Sequence, residues 1–166
     1  MTHRPLVPAS GGDPVHRELP TVADTEAFGA ELGRELVAGD VLLLAGPLGA
    51  GKTALVRGLA RGLEVTGPVA SPTFVIAREH PPAGDGPALV HVDAYRLGGA
   101  GADGTATDVA AELDDLDLDT ELDRAVVAVE WGSGVADRLA SSAVEVVLER
   151  RDDETRVATL RRAGRP

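Results

Sequence analysis

The sequence predicts a mixed α/β sandwich, with a partly parallel central sheet flanked by helices and extended by antiparallel additions. Three observations carry this. Two short apolar runs, Val41-Leu42-Leu43-Leu44-Ala45 and Ala125-Val126-Val127-Ala128-Val129, read as strands buried on both faces. Stretches with helical spacing alternate with them, Phe28, Leu32 and Leu36 in one and Leu55, Leu59 and Leu63 in another. The first strand also runs directly through a glycine-rich turn into a helix, an order typical of doubly wound sheets.

The elements follow in order. Residues 1–15 are rich in Pro, Gly, Ser and Ala without an apolar period and are expected to form a disordered tail, leaving 16–166 as a single domain. Thr21 is the expected N-cap of the first helix, with Asp24 in the capping-box position where Glu is more usual, and Gly39 is the expected residue just past its end. The helix after the glycine-rich turn should run to about Glu64, where Thr66-Gly67-Pro68 breaks it. Phe74–His80 and Ala88–Ala94 read as strands joined across the Pro/Gly-rich stretch 81–87, as a hairpin. Residues 98–107 read as a Gly/Ala/Asp-rich loop, 108–122 as short acidic helical patterns and 135–139 as a short helix. Ala143–Leu148 and Arg156–Leu160 are expected as a final hairpin at one sheet edge. The chain has no internal repeat.

Composition narrows the function. A formal charge of −11 argues against an autonomous electrostatic grip on nucleic-acid phosphates. With no cysteine, disulfides, thiolate metal sites and cysteine nucleophiles are all excluded. No apolar run approaches a membrane span and the N-terminus lacks a signal-peptide core, so a cytoplasmic protein without membrane association is expected.

The chemistry centres on Gly46-Pro47-Leu48-Gly49-Ala50-Gly51-Lys52-Thr53, which fits G-x-x-x-x-G-K-[ST] without mismatch and makes the expected fold a P-loop NTPase-like sandwich. Lys52 is the only lysine in the chain. Gly46, Leu48, Gly49, Ala50 and Gly51 would cradle phosphates with backbone N–H groups, assisted by the helix N-terminus. Lys52 would reach the β- and γ-phosphates, and the Thr53 hydroxyl would hold Mg²⁺. In the empty protein Lys52 is expected to face solvent. The chain contains no Asn and no Gln, so a guanine-reading Asn-Lys-x-Asp motif, a GTPase-type Gln and a protein-kinase catalytic-loop Asn are all absent. ATP is the expected nucleotide.

A phosphate loop needs an acid that ends an apolar strand. Asp93 ends Leu89-Val90-His91-Val92, and Glu130 ends Val126-Val127-Ala128-Val129. One would serve the metal and the other would orient or deprotonate water; the pattern leaves open which does which. His91, two residues before Asp93, either faces the site or is a structural histidine.

Four blocks now stand in order: the loop at 46–53, Ser71-Pro72-Thr73-Phe74, His91-Val92-Asp93-Ala94-Tyr95-Arg96-Leu97 and Val129-Glu130-Trp131. Together they closely resemble the bacterial tRNA threonylcarbamoyladenosine biosynthesis ATPase family (TsaE), over roughly Glu18 to Leu160. The resemblance implies a small Mg²⁺-dependent ATPase supporting modification of adenosine 37 in tRNAs that read ANN codons. It implies action on a two-protein threonylcarbamoyltransferase complex, with tRNA met only through that complex. By matched position, Lys52 and Thr53 bind phosphate and Mg²⁺, Glu130 is the second Mg²⁺-side acid and Asp93 acts on water. Ser71 and Thr73 occupy a block that behaves as a γ-phosphate-sensing switch. Arg96 either stabilises phosphate charge or pairs with an acid; Trp131 either walls the nucleotide site or belongs to the core. Pro47 departs from the family, which usually carries an acid there.

The alternative is a small-molecule or nucleoside kinase of the same loop class. Such kinases usually need a lid with several phosphate-facing basic residues, and 98–117 contains none. A nucleotide-binding scaffold without useful turnover is a third reading.

Overall fold

The computed structural model describes residues 5–47, 49–69, 77–93, 123–130 and 143–162. In chain order these form β1 (Val15–Leu19), α1 (Val22–Glu35), β2 (Val41–Ala45), α2 (Lys52–Leu63), β3 (Ala77–His80), β4 (Ala88–Asp93), β5 (Ala125–Glu130), β6 (Val144–Arg150) and β7 (Arg156–Arg162). The strands make one sheet in the order β1-β7-β6-β2-β5-β4-β3. Its centre, β6-β2-β5-β4, is parallel, while β3, β7 and β1 are antiparallel additions. The expected α/β class and its partly parallel sheet are therefore present. The expected Phe74–Ile76 portion of β3, the loop at 98–107 and the helical segments at 108–122 and 135–139 lie outside the described residues.

Leu42 and Leu44 of β2, Val126 and Ala128 of β5, and Val144 and Val146 of β6 form one core with Phe28 and Leu32 of α1 and Leu55 and Leu59 of α2. The alternate residues Val41, Leu43, Val127 and Val129 are buried as well. Burial on both faces is why β2 and β5 read as unbroken apolar runs rather than alternating ones.

Thr21 caps α1 through the reciprocal box, its own N–H donating to Asp24 Oδ2 at 2.9 Å and the Asp24 N–H donating to Thr21 Oγ1 at 3.2 Å. A shorter carboxylate serves here as well as the usual Glu. The helix end differs from the expectation. α1 stops with extended Leu36 as its C-cap, and Gly39 at φ 98° belongs to the next turn. There the Asp40 N–H donates to Val37 O at 3.0 Å and Asp40 Oδ2 accepts from the Val37 N–H at 2.8 Å. The positive φ of Gly39 turns the chain into β2 instead of ending the helix.

The final hairpin also differs. It is β6-β7, but β1 covers β7 from Val15↔Leu160 to Leu19↔Arg156, so the hairpin is not the sheet edge. His16, Arg17 and Glu18 are exposed in a row, which hides the strand from a period-two reading and blunts the new edge with charge. Ahead of β1, in the segment expected as a tail, Leu6 is buried against the core and the Leu6 and Val7 N–H groups donate to the two oxygens of Glu35 at 2.8 and 2.9 Å.

α1 and α2 lie against each other at backbone distance. A Cβ added at Gly58 would stand 1.9 Å from Glu26 O, and one at Gly62 would stand 2.2 Å from Ala30 O. Glu26 then accepts from both Arg57 and Arg61, at 3.2 and 2.6 Å, closing the flank of this contact.

His80, at the end of β3, is buried. Burial lowers its pKa from 6.5, and repulsion from His91 and Arg78 adds to this against a backbone hydrogen bond at Thr66. The folded value thus lies below the unfolded one. Stability from this group is fully present above pH 6.5 and is lost as pH falls through the folded value. Urea midpoints should fall on acidification below about pH 6.5, and less steeply in His80→Leu. Equal acid losses in the two proteins would assign the effect to other groups.

Candidate phosphate-loop site

The loop at 46–53 leaves the C-terminal end of β2 and enters α2, as the sequence pattern requires. Gly46, Gly49 and Gly51 have φ of 154°, 81° and 101°. A side chain at Gly46 would also collide with Leu148 O at 2.6 Å, so the loop is seated directly on β6. Gly51 is the N-cap of α2 and supplies no side-chain hydrogen bond, which leaves the first N–H groups of the helix for an anion. The Ala50 N–H donates to Pro47 O at 3.1 Å, so Pro47 takes part through its carbonyl and its missing N–H does not open the turn. Leu48 lies outside the described residues.

Lys52 departs from expectation. Its side chain does not stand in solvent; the residue is 9% exposed, and Nζ donates to Gly46 O at 2.6 Å and Pro47 O at 3.3 Å. An ammonium on an apolar sheet end needs acceptors, and the loop's own carbonyls supply them. Thr53, the next residue of α2, is half-buried.

Three strand ends stand side by side at this edge. Leu44 of β2 is paired with Glu130 of β5, and Glu130 with Asp93 of β4. The loop therefore begins two residues beyond a position in register with both acids, the C-terminal sheet edge at which ligands bind in such folds. Glu130 is buried at 5% exposure, its Oε1 has no hydrogen-bond partner among the described residues, and its Oε2 lies 3.5 Å from His91 Nε2. Asp93 is placed here by its backbone alone. Ser71, Thr73, Tyr95, Arg96 and Trp131 lie outside the described residues.

One neighbour of the loop was not legible in the sequence. Arg156, at the start of β7, donates to Gly49 O at 3.3 Å and to Glu154 O at 2.9 Å. It reaches the loop across 107 positions of chain, a distance at which spacing carries no signal.

Among the described residues, no group of three or more His, Cys, Asp or Glu side chains could hold a metal on its own. Mg²⁺ does not require one, because it keeps water and phosphate oxygens and takes only one or two protein ligands. The Thr53 hydroxyl and Glu130 Oε1 are of the right chemistry for that.

Fold and site together define a mixed α/β protein of the phosphate-loop type. Residues 19–158 match the family model described as threonylcarbamoyl adenosine biosynthesis protein TsaE. The chain is 54% identical over 143 residues to the tRNA threonylcarbamoyladenosine biosynthesis protein TsaE of Mycobacterium tuberculosis, covering 85% of this chain and 83% of the relative. The Bacillus subtilis protein of the same name is 37% identical over 128 residues, covering 76% and 72%. The crystal structure of Bacillus subtilis YdiB superposes with a TM-score of 0.70 at 28% identity, over 92% of this chain and 87% of that one. This chain belongs to the TsaE family. No helix among its described residues is long and apolar enough to cross a membrane.

Proposed function

We propose that the protein is the ATP-binding and ATP-hydrolysing subunit required for threonylcarbamoyl modification of adenosine 37 in tRNAs reading ANN codons. It acts in the cytoplasm on a two-protein carbamoyltransferase complex and meets tRNA only through that complex, in keeping with its charge of −11. The observation that carries the reading is the alignment of the phosphate loop with two strand-end acids in direct register. Family membership supplies the pathway.

In this reading the loop N–H groups and the α2 N-terminus bind the ATP phosphates, and Lys52 exchanges loop carbonyls for phosphate oxygens. Thr53 and Glu130 hold Mg²⁺, which when bound neutralises phosphate charge. Asp93 orients the attacking water and accepts its proton. Ser71 and Thr73 sense the γ-phosphate, Arg96 contributes positive charge beside it, and Trp131 walls the nucleotide. Turnover should be slow for the isolated protein and rise when the partner complex is added. Asp93→Ala should bind ATP yet lose the increment. Rapid hydrolysis that ignores the partners, followed by phosphate release, would overturn the reading.

A further inference from the structure

We propose that His91 is a positioning residue that sets the orientation of the Glu130 carboxylate toward a divalent cation. The inference rests on the reading of Glu130 as the metal-side acid. His91 lies in β4 opposite Ala128, two positions before the Asp93–Glu130 pair, so strand alternation puts His91 and Glu130 diagonally on one face. The imidazole is fully buried, and Glu130 Oε2 lies 3.5 Å from its Nε2. Among the described residues, neither ring nitrogen has a hydrogen-bond partner, and neither does Glu130 Oε1.

Buried imidazoles and carboxylates are normally satisfied, and an apolar side chain at position 91 would spare the sheet this desolvation. The pair is intelligible if the Nε2–H tautomer restrains one carboxylate oxygen and presents the other. A movement of about 0.7 Å brings the contact to the ~2.8 Å of a charge-assisted hydrogen bond. Oε2 is then occupied by His91, and Oε1 keeps its lone pairs for the cation or its water. Such outer groups fix the geometry of metal ligands, and their removal typically weakens metal binding about 10- to 100-fold.

The test is a MgCl₂ titration of fluorescent ATP-analogue binding by the full-length protein, so that turnover is not the readout. His91→Leu should raise the half-saturating MgCl₂ concentration about 10-fold and leave binding of the analogue without metal unchanged. His91→Gln, whose amide N–H can stand in for Nε2–H, should remain close to wild type. Adding His91→Leu to Glu130→Ala should have no further effect. A wild-type Mg²⁺ midpoint in folded His91→Leu, or its full penalty persisting without Glu130, would overturn the proposal. If His91→Leu does not fold, His91→Met replaces it, and equal shifts in the Met and Gln variants would be equally fatal. Should Glu130→Ala itself leave the Mg²⁺ midpoint unchanged, the metal-side reading of Glu130 fails and the role of His91 with it. A shift in Glu130→Ala without one in His91→Leu removes only the role of His91.

Discussion

Lys52→Ala is expected to weaken ATP binding and to lower hydrolysis by about 100-fold or more, the scale seen when one preorganised donor to developing charge is removed. No other lysine exists to take its place. The ammonium also braces the loop through Gly46 O and Pro47 O, so the substitution removes a loop contact together with the phosphate contact. Lys52→Arg should not rescue function. A planar guanidinium does not reproduce the compact point charge that donates to both Gly46 O and Pro47 O from one nitrogen. Calorimetric titration with ATP and Mg²⁺ would report the loss directly. The thermal stability of Lys52→Ala should fall only modestly, through the two loop hydrogen bonds lost, since the side chain lies outside the apolar core. An Ala variant that binds ATP like wild type would remove Lys52 from the phosphate site.

How much of this was legible depends on the sequence distance over which each interaction acts. The Thr21–Asp24 box and the 46–53 loop are local, so residue type and spacing sufficed. Asp93 and Glu130 could each be read as an acid ending an apolar strand. Their pairing could not, because β4 and β5 meet through a parallel register that no local pattern encodes. The burial of Lys52 is hidden from the sequence for a related reason. Its acceptors are backbone carbonyls of its own loop, which have no residue signature. β1 leaves no period-two signal because its exposed polar residues are consecutive, and Arg156 leaves none because its partner lies on a distant loop. Gly29, Gly33, Gly58 and Gly62 lower helix propensity, so sequence alone makes them look like weaknesses in α1 and α2.

In the fold they are the contact itself, and Gly58→Ala is expected to destabilise the protein by about 2 kcal/mol or more. Two effects compete. Replacing an interior helical glycine with alanine ordinarily gains about 1 kcal/mol through backbone entropy. Here the new methyl would lie 1.9 Å from Glu26 O, 2.7 Å from Glu26 C and 2.9 Å from Glu26 Cα. All three are backbone atoms of α1, so no rotamer change relieves the clash and the helices must move apart. That separation loosens Phe28 and Leu32 from Leu55 and Leu59 and pulls Glu26 from Arg57 and Arg61. Overpacking therefore outweighs propensity, and the melting temperature should drop by roughly 4–8 °C. Gly84→Ala is the matched control, because its Cβ would meet nothing within 4 Å. The control should melt with wild type or slightly above it, since alanine also restricts the unfolded chain. A Gly58→Ala protein as stable as that control would mean that α1 and α2 do not meet backbone to backbone.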